Sequence, residues 1–154
     1  MHLFAYGTLM DEEIMTAVCG HRFAAKPATL LNYRRHSIKG KIYPAIIGKQ
    51  GAKTDGICYL DLPQVVWQSL DLFEDDMYER TTVTVITGDG VLLDAEAYVC
   101  KLEFKNELED EDWDFDEFLK KTKKIFKQEY EGFSDPSRSS KKKPKKSLAC
   151  EHAG

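Results

Sequence analysis

Three groups of residues in this sequence have types and spacings suited to chemistry. The first is Tyr6-Gly7-Thr8-Leu9. An apolar, β-prone run, His2 to Tyr6, ends there at a glycine, and a helix-prone segment begins at Asp11. Backbone amides at such a junction point outward together and can hold an anion or a carboxylate. An ordinary turn would have the same sequence. The second is Glu74, in Leu70-Asp71-Leu72-Phe73-Glu74-Asp75-Asp76. On a helical wheel with Val66 at zero, Leu70 lies at about 40°, Trp67 at about 100° and Glu74 at about 80°. That puts a carboxylate inside the apolar stripe, where it costs free energy unless it has a partner or lines a cleft. Burial would raise its pKa, which suits a general acid or base near neutrality. The alternative is a helix-end glutamate that reaches solvent. The third group is Tyr43-Pro44 and Tyr78-Glu79-Arg80. The tyrosines can line a polar pocket or simply pack with one hydrogen bond each. Arg80 can meet a substrate carboxylate, or pair with Glu79 or Asp76.

Other chemistries lack their residues. His2, His21 and His36 have no serine or cysteine partner at a recognisable spacing, and there is no G-x-S-x-G, P-loop or H-E-x-x-H pattern. The four cysteines, Cys19, Cys58, Cys100 and Cys150, form no C-x-x-C pair. A zinc site of the usual spacing is therefore not expected. Such scattered thiols suit a reducing, cytoplasmic setting, with Cys58 and Cys100 as small core residues. The start of the chain lacks a charged segment leading into a long apolar run, which predicts no signal peptide. No apolar run approaches the roughly 20 residues of a membrane span.

The elements that must position these residues can be read from periodicity. Residues 2–6 form a strand, and 11–18 a short helix stopped by Gly20. Strands are expected at Ala28–Tyr33, Ile42–Ile47 and Gly56–Leu60, separated by Gly40, Gly48 and Gly51. A helix starts near Asp61-Leu62-Pro63, with the proline suited to its first turn. Strands follow at Thr81–Thr87 and Val91–Cys100, joined by the hairpin turn Gly88-Asp89-Gly90. Residues 103–112 are acidic and read as loop. Trp113 to Phe133 then reads as one amphipathic helix with its acids at the start and its lysines later, a helix that docks on the sheet. Many strands, few helices and no regular βαβ alternation give an α+β fold. Antiparallel hairpins dominate it, and the sheet can close into a small barrel.

The length of 154 residues suits one domain, and 42% hydrophobic content excludes a wholly disordered chain. The net charge of −4 is uneven, because residues 138–154 hold six Lys/Arg against one acid. The body is therefore acidic, which argues against a domain that grips a nucleic-acid backbone. The expected organisation is a domain over 1–133 and a basic, disordered tail over 134–154. Any nucleic-acid or anionic-membrane contact would be weak and electrostatic, through residues 138–146, and such tails more often only solubilise. Cys150 is one residue too far from Gly154 for a prenylation box. No signal for an oligomeric state is present.

Two of these motifs together resemble a known family. Phe4-Ala5-Tyr6-Gly7-Thr8-Leu9 is similar to the YG[ST]L signature of the γ-glutamylcyclotransferase-like superfamily. Leu70-Asp71-Leu72-Phe73-Glu74, followed by Tyr78 and Arg80, resembles its LDxxE…YxR segment, which holds the catalytic glutamate. Trp113-Asp114-Phe115-Asp116-Glu117-Phe118 resembles a WDFEEF-type segment of the plant avirulence-induced branch. The resemblance spans about residues 2–130. It implies a mixed, mostly antiparallel barrel with flanking helices, and a pocket between the YGTL loop and Glu74. It also implies a cofactor-free reaction in which a γ-glutamyl amine or peptide cyclises to 5-oxoproline and releases the amine. Glu74 would be the acid/base. Tyr6, Gly7, Thr8, Leu9, Tyr43, Tyr78 and Arg80 would contact the small-molecule substrate. The rival expectation is a module of the same fold that binds a small molecule without turning it over.

Overall fold

The structure, a computed structural model, describes residues 1–121. In chain order the strands are β1 (Leu3–Ala5), β2 (Ala25–Ser37), β3 (Pro44–Tyr59), β4 (Tyr78–Thr87) and β5 (Leu92–Cys100). The helices are α1 (Glu12–Cys19), α2 (Gln64–Phe73) and α3 (Phe115–Lys121), with single 3-10 segments at Thr8–Met10 and Leu102–Glu107. The strands close into a barrel in the order β1-β3-β2-β4-β5. β1 runs antiparallel to β3, with Phe4 opposite Cys58, and parallel to β5, with Leu3 opposite Glu96. The remaining neighbours are antiparallel, β4 and β5 through the expected hairpin.

Alternation along the strands sorts the core into two layers. Phe4, Leu30, Ile46, Cys58 and Val85 fill the barrel, with Ala95 and Ala97 keeping it narrow. Leu3, Ala5 and Tyr59 face outward and are covered by α1 and α2 through Ile14, Val66, Trp67 and Leu70. Trp113 and Phe118 join this outer layer. β1 is thus buried on both faces, which explains why it reads as a continuous apolar run rather than an alternating one.

β3 corrects the expectation of two strands broken at Gly48 and Gly51. It is one strand of 16 residues. Straight, it would span about 50 Å. Yet its last turn pairs with β1, and its first residue, Pro44, packs against Gly7 just beyond β1. The strand therefore wraps the barrel. The bend falls where the β2–β3 register shifts, between Leu31 and Tyr33. There Asn32 (φ 67°) and Gly51 (φ 86°) both take left-handed backbone, and the Gly51 amide donates to Asn32 Oδ1 at 3.0 Å. The glycines curve the ladder through a bulge instead of ending it.

Two further expectations change. The acidic stretch 103–112 is not simply loop. After the 3-10 segment it lies along the part of β2 that β4 does not reach. Ser37 N donates to Glu111 O (2.9 Å) and Glu109 N to Ser37 O (2.8 Å), while Arg34 holds Asp110 (2.8 Å) and Asp112 (3.2 Å). The last helix begins at Phe115, where Asp114 Oδ1 accepts from the amides of Asp116 and Glu117. The rest of the expected 113–133 helix, and the tail, lie outside the described residues. Among those described, no helix is long and apolar enough to cross a membrane.

The end of β1 beside β3 leaves no room at Gly56. A Cβ there would fall on the Ala5 carbonyl oxygen and 2.9 Å from two carbons of the Phe4 ring. Gly56→Ala should therefore lower the unfolding free energy in urea by about 2–3 kcal/mol. Gly48→Ala, which meets nothing within 4 Å, should stay within about 0.5 kcal/mol of the parent.

Candidate active site

The chain leaves β1 at Ala5, and Tyr6 continues inward among the barrel residues. The next residues fold into one tight turn, with Met10 N donating to Gly7 O (2.9 Å) and Asp11 N to Thr8 O (3.1 Å). The first amides of such a turn have no acceptor within it. The turn lies flat on the start of β3. A Cβ on Gly7 would stand 2.8 Å from Pro44 Cδ and 2.9 Å from its Cγ, so only glycine allows this contact. α1 then starts on Asp11, whose Oδ1 accepts from Glu13 N.

α2 delivers Glu74. Val66, Trp67, Leu70 and Phe73 form its buried stripe. The helix stops at Phe73, so the wheel angle does not apply to Glu74 itself. Glu74 is the C-cap: its amide still donates to Leu70 O (3.1 Å), but its backbone is extended (φ −78°, ψ 147°). It is half-buried, so neither the fully buried helical position nor the solvent-reaching end describes it.

These two pieces meet in one pocket that opens to solvent. Tyr6, Gly7, Thr8, Leu9, Tyr43, Pro44, Glu74, Asp75, Tyr78 and Tyr98 line it, with apolar floor from Leu3, Phe4, Ala5 and Phe73. Its polar wall is largely phenolic. Tyr6 donates to Tyr98 O (2.5 Å), Tyr78 to Pro44 O (2.6 Å), Tyr43 to Asp75 Oδ2 (3.1 Å) and Tyr98 to Asp71 Oδ1 (2.7 Å). Burial raises the pKa values of Tyr6, Tyr78 and Tyr98 well above the usual phenol value, and the negative charge of Glu74 adds to the rise at all three. The Glu74 carboxylate thus acts on three of the wall's phenols. Tyr6 and Tyr78 commit their hydroxyl protons to backbone carbonyls, and the Tyr6 oxygen also faces the Ile46 backbone, so any further partner must donate to these hydroxyls.

Arg80, expected at the substrate, does not line the pocket. Its guanidinium lies over the Trp67 ring at 4.9 Å and faces Asp71 (3.5 Å) and Glu96 (3.7 Å) rather than Glu79 or Asp76. Through Asp71 it reaches the Tyr98 hydroxyl from behind. Two residues near the site were not singled out in the sequence. Tyr98 sits directly opposite Arg80 across the β4–β5 ladder, so the hairpin register would have placed it. Arg35, half-buried on β2, donates to the Tyr6 carbonyl at 2.8 Å. Burial lowers its pKa, and Asp55 and Asp112 oppose that. Among the described residues, no group of three or more His, Cys, Asp or Glu is disposed to hold a metal ion.

A family profile described as "Gamma-glutamyl cyclotransferase, AIG2-like" matches residues 3–115. The chain belongs to this family. Its relatives include AIG2-like protein D of Arabidopsis thaliana, 34% identical over 81% of this chain and 89% of that protein. A solution structure from Arabidopsis thaliana superposes with a TM-score of 0.67 at 24% identity, over 91% of this chain and 87% of that one. A structure titled "Gamma-glutamyl cyclotransferase" superposes with a TM-score of 0.54 at 19% identity, over 71% and 68%. These structures share the barrel. The AIG2-like match covers both the YGTL turn and Glu74.

The phenolic wall makes an alkaline prediction. Tyr6, Tyr59, Tyr78 and Tyr98 all have pKa values raised in the folded state, burial being the first cause. The unfolded chain ionises its tyrosines near pH 10. These four therefore contribute stability that is fully present below about pH 10 and is lost as pH rises above it. Phenolate absorbance and circular dichroism recorded together should show these groups ionising in the same step as unfolding, not before it.

Proposed function

We propose that this protein converts a γ-glutamyl amine or peptide to 5-oxoproline and the free amine. The observation that carries the reading is the shared pocket. It joins the Tyr6–Leu9 turn to Glu74, groups far apart in sequence that the reaction needs on opposite sides of one small substrate.

In the reaction, the α-amine of the γ-glutamyl group attacks its own γ-carbonyl carbon. A new C–N bond closes the five-membered ring, and the bond to the leaving amine breaks. The nucleophile is intramolecular, so holding the substrate folded supplies much of the rate. At neutral pH the α-amine is an ammonium and cannot attack. Glu74 takes its proton and then returns one to the departing nitrogen. The amides of Gly7, Thr8 and Leu9 meet the substrate's carboxylate or the oxygen that gains charge during attack. The hydroxyl lone pairs of Tyr6 and Tyr78 suit the ammonium, because their own protons are already committed. Arg80 acts at most through Asp71 and Tyr98.

Glu74→Gln keeps the size and shape of the side chain and removes the proton acceptor. It should fold as the parent does and lose 5-oxoproline formation by about a hundredfold or more. The measurement is product release from a panel of γ-glutamyl amines and peptides. Retained turnover in the variant would sink the mechanism, and binding without product in the parent would favour a non-catalytic module.

A further inference from the structure

The Tyr6 carbonyl and the Gly7 amide belong to one peptide unit. A trans peptide is planar and carries its C=O and N–H on opposite edges, and the described chain has no cis peptide. Whatever holds the Tyr6 oxygen therefore aims the Gly7 N–H. Arg35 holds it. Its Nη1 donates to Tyr6 O at 2.8 Å and to Asp55 O at 3.1 Å, tying the end of β1 to β3. The guanidinium plane rests 5.6 Å from the centre of the Trp113 ring, and Trp113 is itself fixed by a 2.9 Å bond from Nε1 to Ile42 O. Arg35 is not part of the pocket lining. It stands behind the turn while Gly7 stands in front.

We propose that Arg35 is a positioning residue: by holding the Tyr6 carbonyl it fixes and polarises the Tyr6–Gly7 peptide, so that the Gly7 N–H is presented to an oxygen of the substrate. A cation on the carbonyl draws electron density through the amide and makes the N–H a stronger donor. Because the group is fixed before substrate arrives, no reorganisation is needed when charge develops. Lysine would keep the charge but not the flat guanidinium that lies over the Trp113 indole and so fixes the donor that bridges the two carbonyls. The identity of the ligand rests on the cyclotransferase reading; the orientation of the peptide does not.

The test uses the full chain with Arg35→Met, Arg35→Lys and Trp113→Phe. Methionine keeps the apolar stem on Trp113, and Trp113→Phe disturbs the same packing but leaves the bond to Tyr6. Three quantities are read: kcat and KM for 5-oxoproline release, the affinity for 5-oxoproline itself, and the position of the Gly7 amide resonance in a proton–nitrogen correlation spectrum. The expected result is a shift of the Gly7 resonance in both Arg35 variants, with affinity and kcat/KM falling roughly ten- to a hundredfold in Arg35→Met and less in Arg35→Lys. Trp113→Phe should stay within about threefold even if it melts as early as Arg35→Met. Losses that follow melting temperature across all three variants, or an unmoved Gly7 resonance, would overturn the proposal. If Arg35→Met does not fold, Arg35→Lys carries the comparison. If the parent forms no 5-oxoproline from any substrate, the cyclotransferase reading fails, and the Gly7 resonance alone upholds or overturns the placement by Arg35.

Discussion

The pairing of β1 with β3 on one side and with β5 on the other closes the sheet, and the site inherits its geometry from that closure. Only three residues make the seam, with both faces buried. Leu3 and Ala5 are packed by the helices and Phe4 by the barrel interior. A strand so enclosed satisfies its backbone groups only in one register. Its end is therefore fixed, and so is the turn that follows. Two glycines make the seam physically possible. Gly56 lets the Ala5 carbonyl pass, and Gly7 lets Pro44 rest on the turn. Both requirements concern space.

The pocket combines groups with opposite tendencies. Its carboxylates, Glu74 and Asp75, come from the end of α2, where the helix has just stopped and the backbone opens outward. Its phenols come from strands or from the residues flanking them, Tyr78 and Tyr98 on β4 and β5, Tyr6 just after β1 and Tyr43 just before β3. The carboxylates' charge and the burial act in the same direction on the phenols, holding them protonated. The wall is thus a set of fixed hydroxyl dipoles, with Tyr6 and Tyr78 donating to backbone carbonyls and Tyr43 and Tyr98 to the carboxylates of Asp75 and Asp71.

Much of this was legible in the sequence where local and global signals agree. β1, α1 and the β4–β5 hairpin follow from apolar patterning and from turn residues whose chemistry has few alternatives. Tyr6 to Leu9, Tyr43, Glu74 and Tyr78 do converge. The course of β3 and the placement of Arg35 escaped reading for one cause, the bulge at Asn32. Leu30 and Tyr33 both pack toward the barrel interior although three positions apart, because the bulge at Asn32 shifts the alternation. Past that point no count of odd and even residues places Arg35. The same bulge turned Gly48 and Gly51 from apparent breaks into a bend. Arg80 misled for another reason. Its neighbours in sequence are acidic, but its partners, Asp71 and Glu96, lie on other elements.

The parallel contact between β1 and β5 also sets an order of events. Leu3 meets Glu96, more than ninety positions later in the chain, and Tyr6 bonds to Tyr98. During synthesis β1 can meet β3, but its second neighbour does not exist until β5 is made. Contacts of such separation close late, after the loop entropy between them has been overcome. The β2–β3 and β4–β5 hairpins are local and can form first. The cavity, which needs both ends of that long loop as well as Tyr43 and Glu74 from between them, is then among the last parts of the described fold to form.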